Sequence, residues 1–269
     1  MKEFESKAQE RHYYETQASE QDFLQWYAEQ EKPNYPKPSL TVDMIVLRWN
    51  DSITPAQLQL LLVKRKAHPY LNCYALPGGF VNPDEDTTTA TIREVYEETG
   101  IQLDPLRCEQ LETIATPQRD PRDWVVSVAH IAYLPYAEEQ VAVAGDDASA
   151  VCWVNVSVDD SQQVRLRCPE TGKEIANLAF DHATIIAKAM KRLSNKLAYN
   201  PTVLSLLPVT FTIKQVRAIF DVFNHPQFRH VGMTAFRLRQ EKFLTFIEFA
   251  HVGQRGRSHK TYAYQLRHI

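Results

Sequence analysis

Glycine is scarce in this chain, eight residues in 269, and three of the eight (Gly78, Gly79 and Gly100) fall in one short stretch. Glycine is the residue that lets backbone turn left-handed or approach another group closely, so this stretch carries the tightest local constraints in the chain. Between the glycines, Thr87 to Thr99 is a helix candidate. Asp84 and Asp86 precede it as good N-terminal residues, and Gly100 stands where a left-handed residue would end it. Within that helix Glu94, Glu97 and Glu98 are spaced i, i+3, i+4, which sets three carboxylates on one face. Unpaired, they repel one another. A divalent cation would neutralise them, and an oxygen-only donor set suits Mg²⁺ or Mn²⁺. Arg93 can reach back to Glu85 just before the helix, and Gly79 would let the backbone bring a carbonyl to the metal.

These residues resemble the signature of the Nudix (MutT-like) hydrolase family: G, five residues, E, seven residues, then R-E-U-x-E-E-x-G-U, with U a bulky aliphatic. Gly79, Glu85, Arg93, Glu94, Val95, Glu97, Glu98, Gly100 and Ile101 fill every position. The resemblance implies an α/β/α sandwich with a mixed sheet and hydrolysis of a nucleoside diphosphate linked to a second moiety. Glu94, Glu97 and Glu98, with the Gly79 carbonyl, would hold the metal, and Arg93 would belong to the catalytic set. Metal ions would neutralise the phosphates and lower the pKa of a bound water. The general base stays open: one of Glu94, Glu97 and Glu98, with Glu94 the first candidate, or a residue from a loop elsewhere.

The likeness extends past the signature. YALPGGFV (residues 74–81) and PQRDPRDWVVSVAHIAYL (residues 117–134) look like the Nudix subgroup that acts on ADP-ribose and related dinucleotides, although Asp123 replaces the glycine usual after RDPR. Cleavage of ADP-ribose would give AMP and ribose 5-phosphate. Arg119 and Arg122 are expected to donate to phosphate, with Arg65, Gly78 and Gly79 also lining the substrate site. His182 reads as a helix-start or packing residue. Trp49, Tyr70 and Tyr74 are equally candidates for stacking a base or filling the core.

Around this centre the chain reads as three parts: residues 1–38, 39–198 and 199–269. Phe23, Trp26 and Tyr27 suggest one short amphipathic helix near the N-terminus. Three prolines in residues 32–39 then make a linker. Strand-like runs cover 40–49, 57–65, 124–134 and 150–156, and a helix is expected from about 180 to 197. Net charge is −3, yet residues 201–269 hold ten Lys/Arg against three Asp/Glu, or +7, which leaves −10 for residues 1–200. A basic segment on an acidic body points to a separate, polyanionic partner.

That segment predicts a helix at 212–223, where Thr212 and Gln215 form a capping box, and a second at 234–243. Strands follow at 244–250 and 261–266, with the basic tip HVGQRGRSHK between them. Two helices and a hairpin with a basic tip outline a winged helix, whose Arg237, Arg239, Arg255 and Arg257 would meet double-stranded DNA. This arrangement looks like Nudix-related transcriptional regulators of NAD metabolism, which are dimers whose DNA binding responds to ADP-ribose. The leading expectation is therefore a Mg²⁺-dependent hydrolase of ADP-ribose or a similar compound. The alternative is a ligand-responsive regulator with little turnover. Four scattered cysteines, no secretory h-region and no long apolar run place the expected protein in the cytoplasm, off the membrane.

Overall fold

The computed structural model describes residues 4–30, 35–51, 55–134, 140, 142–143, 145, 148–251 and 260–266. It divides into two units, Met1–Lys37 and Pro38–Ile269. The first unit holds two helices, α1 (Lys7–Thr16) and α2 (Glu20–Glu29), where the sequence suggested one. Ser19 is the reason: its side chain accepts the Asp22 N–H at 3.1 Å and starts a new helix after a short break. The Trp26 ring stacks on Tyr14 at 5.0 Å and donates its Nε1–H to Glu10 at 3.1 Å. The aromatic stripe thus packs on the unit's own first helix, which shows no stripe of its own and was illegible for that reason.

In the second unit the chain runs β1 (Ser39–Asn50), β2 (Gln57–Arg65), β3 (Tyr74–Ala75), α3 (Thr87–Thr99), β4 (Cys108–Ile114), β5 (Val125–Tyr133), β6 (Ala148–Val158), β7 (Val164–Arg167), α4 (His182–Lys196), β8 (Phe211–Thr212), α5 (Ile213–Val222), α6 (Met233–Gln240), β9 (Leu244–His251) and β10 (Lys260–Leu266). The main sheet has the order β4-β5-β1-β2-β6-β7, with β3 pairing on β2. β1 pairs with β5 in parallel and with β2 antiparallel, so the sheet is mixed.

Residue parity along the central strands explains the layers. On β1, Met44 and Val46 join Leu61, Ala132, Val95 and Ile101 in a core beneath α3. Their neighbours Ile45 and Leu47 join Leu60, Leu62 and Ile131 on the other face, where α4 packs Ile185, Ile186, Ala189, Met190 and Leu193. Burial on both faces is why β1 and β2 read as nearly unbroken apolar runs. The result is an α/β/α sandwich.

The C-terminal elements follow in the order helix, helix, hairpin, with a small sheet β8-β10-β9. The capping box at Thr212 and Gln215 is formed. The hairpin tip, with Arg255 and Arg257, lies outside the described residues. Phe220 sits edge-on to Phe228 and Phe236 at 4.9 and 5.1 Å. These rings share one continuous core with the α4 side of the main sheet. Polar bonds also cross the join: Asn224 Nδ2 donates to Asp160 at 3.0 Å, and Tyr133 Oη lies 2.9 Å from Thr202 Oγ1. The boundary we propose at 198/199 therefore marks a change of charge and element type, without a break in packing. Among the described residues, no helix is long and apolar enough to cross a membrane.

The shared core carries a prediction. Phe220→Ala should cost about 3–5 kcal/mol and Ile186→Ala about 2–5 kcal/mol, and both should shift one and the same urea transition from 38 to 269. Two separable transitions, each sensitive to only one substitution, would contradict it.

Candidate active site

The helix α3 is held as its sequence suggested. Asp86 caps it by accepting the Thr89 N–H at 2.8 Å, and Gly100 ends it at φ 70°, in the left-handed region. Arg93 is the hub of the acidic face. Its guanidinium bonds Glu85 at 2.6 and 3.0 Å, Glu94 at 2.7 Å, Glu97 at 3.1 Å and the Phe80 carbonyl at 3.0 Å. The hydrogen bonds from Arg93, and then the Asn82 N–H, push the Glu85 pKa down to about 2, so this carboxylate stays charged. Glu94 behaves oppositely: burial raises its pKa despite Arg93 alongside.

The double glycine is shaped around these acids. A Cβ on Gly79 would lie 2.5 Å from the Glu94 carboxylate, and one on Gly78 would lie 2.0 Å from the Val42 carbonyl oxygen. Only glycine lets this backbone lie against both. The Gly78 N–H donates to Glu98 at 3.1 Å, and the Gly79 carbonyl accepts from Val42 N–H at 2.9 Å. Gly78, Gly79, Arg93, Glu94, Glu97 and Glu98 all line one cavity of about 530 Å³.

The same cavity is lined by Arg65, Arg122 and Phe180, and by the buried side chains of Asp43, Arg119 and His182. Asp43 sits in the middle of β1 and is buried. It accepts from Arg119 at 3.1 Å and from Ser127 Oγ at 2.6 Å, and its other oxygen lies 3.2 Å from His182 Nε2. The Leu76 N–H donates to His182 Nδ1 at 2.8 Å, so the ring carries its proton on Nε2, facing Asp43. Burial alone would raise the Asp43 pKa; His182, Arg119 and Ser127 together outweigh it and hold the group well below the usual carboxylate range.

Arg119, expected as a phosphate donor, lines the cavity and also has a structural task. Its Nε and Nη2 are held by Asp181, at 3.0 and 2.7 Å, and Nη2 also by Asp43, so these two nitrogens form a buried strut from β1 to the start of α4. Arg122 stays at the surface, bonded to Asp120 at 2.7 Å. His182 is a helix-start residue, as expected. Trp49 is core, and Tyr70 packs its ring on Phe180 at 4.7 Å. Asp43, Asp181 and Phe180 escaped the sequence reading. For Asp43 a signal existed: a lone acid within the apolar run LTVDMIVL.

Relatives bear on this geometry. A NUDIX domain model matches residues 39–163. An ADPR-responsive transcriptional repressor, NtrR, from Acinetobacter baylyi is 34% identical over 207 residues, covering 76% of this chain and 73% of the relative. The chain belongs to the Nudix family. Two further relatives of this Nudix chain are informative. The ADP-ribose pyrophosphatase of Methanocaldococcus jannaschii is 34% identical over 157 residues, 58% of this chain and 76% of the relative. A crystal structure of a MutT/nudix family protein from Enterococcus faecalis superposes with a TM-score of 0.84 at 39% identity, covering 98% of this chain and 100% of that one.

The donors of the Nudix chain fit a hard divalent cation. Glu94, Glu97 and Glu98 offer only oxygen, Arg93 offsets only part of their charge, and the glycine cradle admits a close backbone carbonyl. Among the described residues no three metal-binding side chains are already gathered in a cage. Here Arg93 stands in the midst of the acids.

The Asp43 node predicts acid sensitivity. A folded-state pKa below the unfolded value of roughly 3.9 gives stability that is present above that value. It is lost as pH falls through the lower, folded one. Asp43→Asn should lower stability at pH 7 by about 3–5 kcal/mol and flatten the loss below pH ~4. Urea midpoints of both proteins at pH 7 and pH 3 check this; an unchanged midpoint at pH 7 counts against it.

Proposed function

We propose that this chain is a divalent-metal-dependent hydrolase that cleaves the diphosphate of ADP-ribose or a related nucleoside diphosphate derivative. The observation that carries the reading is the convergence of Glu94, Glu97 and Glu98 on a cavity that Arg65 and Arg122 also line. The pyrophosphatase from M. jannaschii and the ADPR-responsive repressor from A. baylyi support the same ligand class.

Glu94, Glu97 and Glu98, with the Gly79 carbonyl, would hold Mg²⁺ or Mn²⁺. When bound, such an ion neutralises phosphate charge and lowers the pKa of a coordinated water. Arg93 keeps Glu94 and Glu97 in place. Arg65 and Arg122 receive the phosphates, and Gly78 and Gly79 let the substrate approach the backbone. Burial raises the Glu94 pKa above the ordinary carboxylate value, the direction that strengthens a carboxylate as a base.

The C-terminal segment supports a second role alongside the first: binding of double-stranded DNA by a homodimer. α6 exposes Thr234, Ala235, Leu238 and Arg239, while Arg237 is partly covered and lies 4.0 Å from Glu241. An exposed short helix with a basic end, followed by a hairpin, suits a major groove and its flanking phosphates.

Two outcomes are expected. Purified protein with Mg²⁺ should release AMP from ADP-ribose at about 1 per second or faster, and EDTA should stop it. Glu97→Gln should lower that rate on the order of 100-fold or more with the melting temperature nearly unchanged; a fully active variant sinks the assignment. Separately, binding to a duplex from the protein's own gene neighbourhood should weaken with salt. Arg239→Ala should flatten that salt slope by about one unit, as read by fluorescence anisotropy, and an unchanged slope removes Arg239 from the interface.

A further inference from the structure

Six non-glycine residues among those described adopt left-handed backbone, and two of them meet at one edge of the cavity: Phe180, at φ 50°, and Tyr70, at φ 62°. A bulky aromatic in that region is disfavoured, so its surroundings must hold it there. What surrounds Phe180 is unusual. The Arg65 guanidinium lies 5.1 Å from its ring centroid and that of Arg122 lies 5.8 Å away. Tyr70 and His182 close in at 4.7 and 5.3 Å. Two cations thus converge on one ring, although they repel each other.

Each arginine is anchored from behind. Arg65 Nε donates to the Pro69 carbonyl at 2.8 Å, and Arg122 Nε and Nη2 donate to Asp120 at 3.0 and 2.7 Å. Among the described residues, the Nη nitrogens of Arg65 and Nη1 of Arg122 have no hydrogen-bond partner. These are the donors that a bridging dianion would take. A ring face offers partial negative charge to both guanidinium planes and fixes their separation without consuming a donor, which a carboxylate in the same place would do.

We propose that Phe180 is the positioning residue of a two-arginine diphosphate clamp, holding Arg65 and Arg122 side by side against their mutual repulsion. Its strained backbone holds the ring within reach of both guanidinium groups. The inference rests on reading this cavity as a diphosphate site, and it is independent of which nucleoside or sugar is attached.

The test is calorimetric binding of inorganic pyrophosphate to the full chain in metal-free buffer. Three variants separate the roles of ring, bulk and backbone. Phe180→Leu keeps bulk and strain but has no π face, Phe180→Tyr keeps the face, and Phe180→Gly relieves the backbone. The Leu and Gly variants should bind about tenfold more weakly and the Tyr variant within about twofold of wild type. The Gly variant should melt no lower than the parent, which separates lost positioning from lost folding. Equal affinity in the Leu variant, or no pyrophosphate binding by the wild type, overturns the proposal. So does a loss of affinity that tracks melting temperature across the three. A wild type that binds pyrophosphate in this pattern but neither binds nor cleaves ADP-ribose would refute the proposed substrate and leave the clamp standing.

Discussion

A carboxylate in the middle of the central strand is the constraint from which much of this architecture follows. Asp43 occupies a buried position on β1, where an unpaired charge would be costly by several kcal/mol. It stays because three other parts of the chain deliver donors to it: Ser127 from β5, Arg119 from the loop before β5, and His182 from the first turn of α4. Arg119 in turn carries Asp181, and His182 carries the Leu76 N–H. One acid therefore sets where the loop, the helix start and the strand leading to the double glycine must lie, and these help to line the cavity.

The opposite problem arises on α3, where acids are crowded without enough base. Arg93 spreads one guanidinium over Glu85, Glu94 and Glu97. The two ends of this network differ in kind. Glu85 is drawn to a low pKa and serves as a fixed anchor for the loop, whereas Glu94, pressed against Gly79, is pushed up. A face tethered at one end by Glu85 suits cation binding, because an arriving charge need only displace the arginine from Glu94 and Glu97 and breaks no part of the fold.

How much of this was legible depended on whether a feature is local. The cap at Asp86, the stop at Gly100 and the tie from Arg93 to Glu85 are contacts within about twenty residues, and their spacing alone exposed them. The long strands showed because both their faces are buried. The capping box at Thr212 and Gln215 was visible for the same local reason. By contrast, Arg119 meets Asp181 across 62 positions and Asp43 across 76. Nothing near Arg119 in the chain announces these two distant carboxylates. Phe180 was invisible on other grounds: its importance lies in a left-handed backbone and in neighbours from the end of β2 and the loop before β5, neither of which has a local pattern.

The unbroken apolar interior joining α4 to the C-terminal helices has a consequence for how such a chain can change over generations. Phe220 and Phe236 are covered by the same packing that covers Ile186 and Met190. A lineage that shed or exchanged the basic segment would at once bare oily surface on what remained. The two regions are thus bound to vary in concert, with a substitution on one side answered on the other. New partners for the basic segment must then arise by altering its exposed rim while its interior stays committed to the sheet.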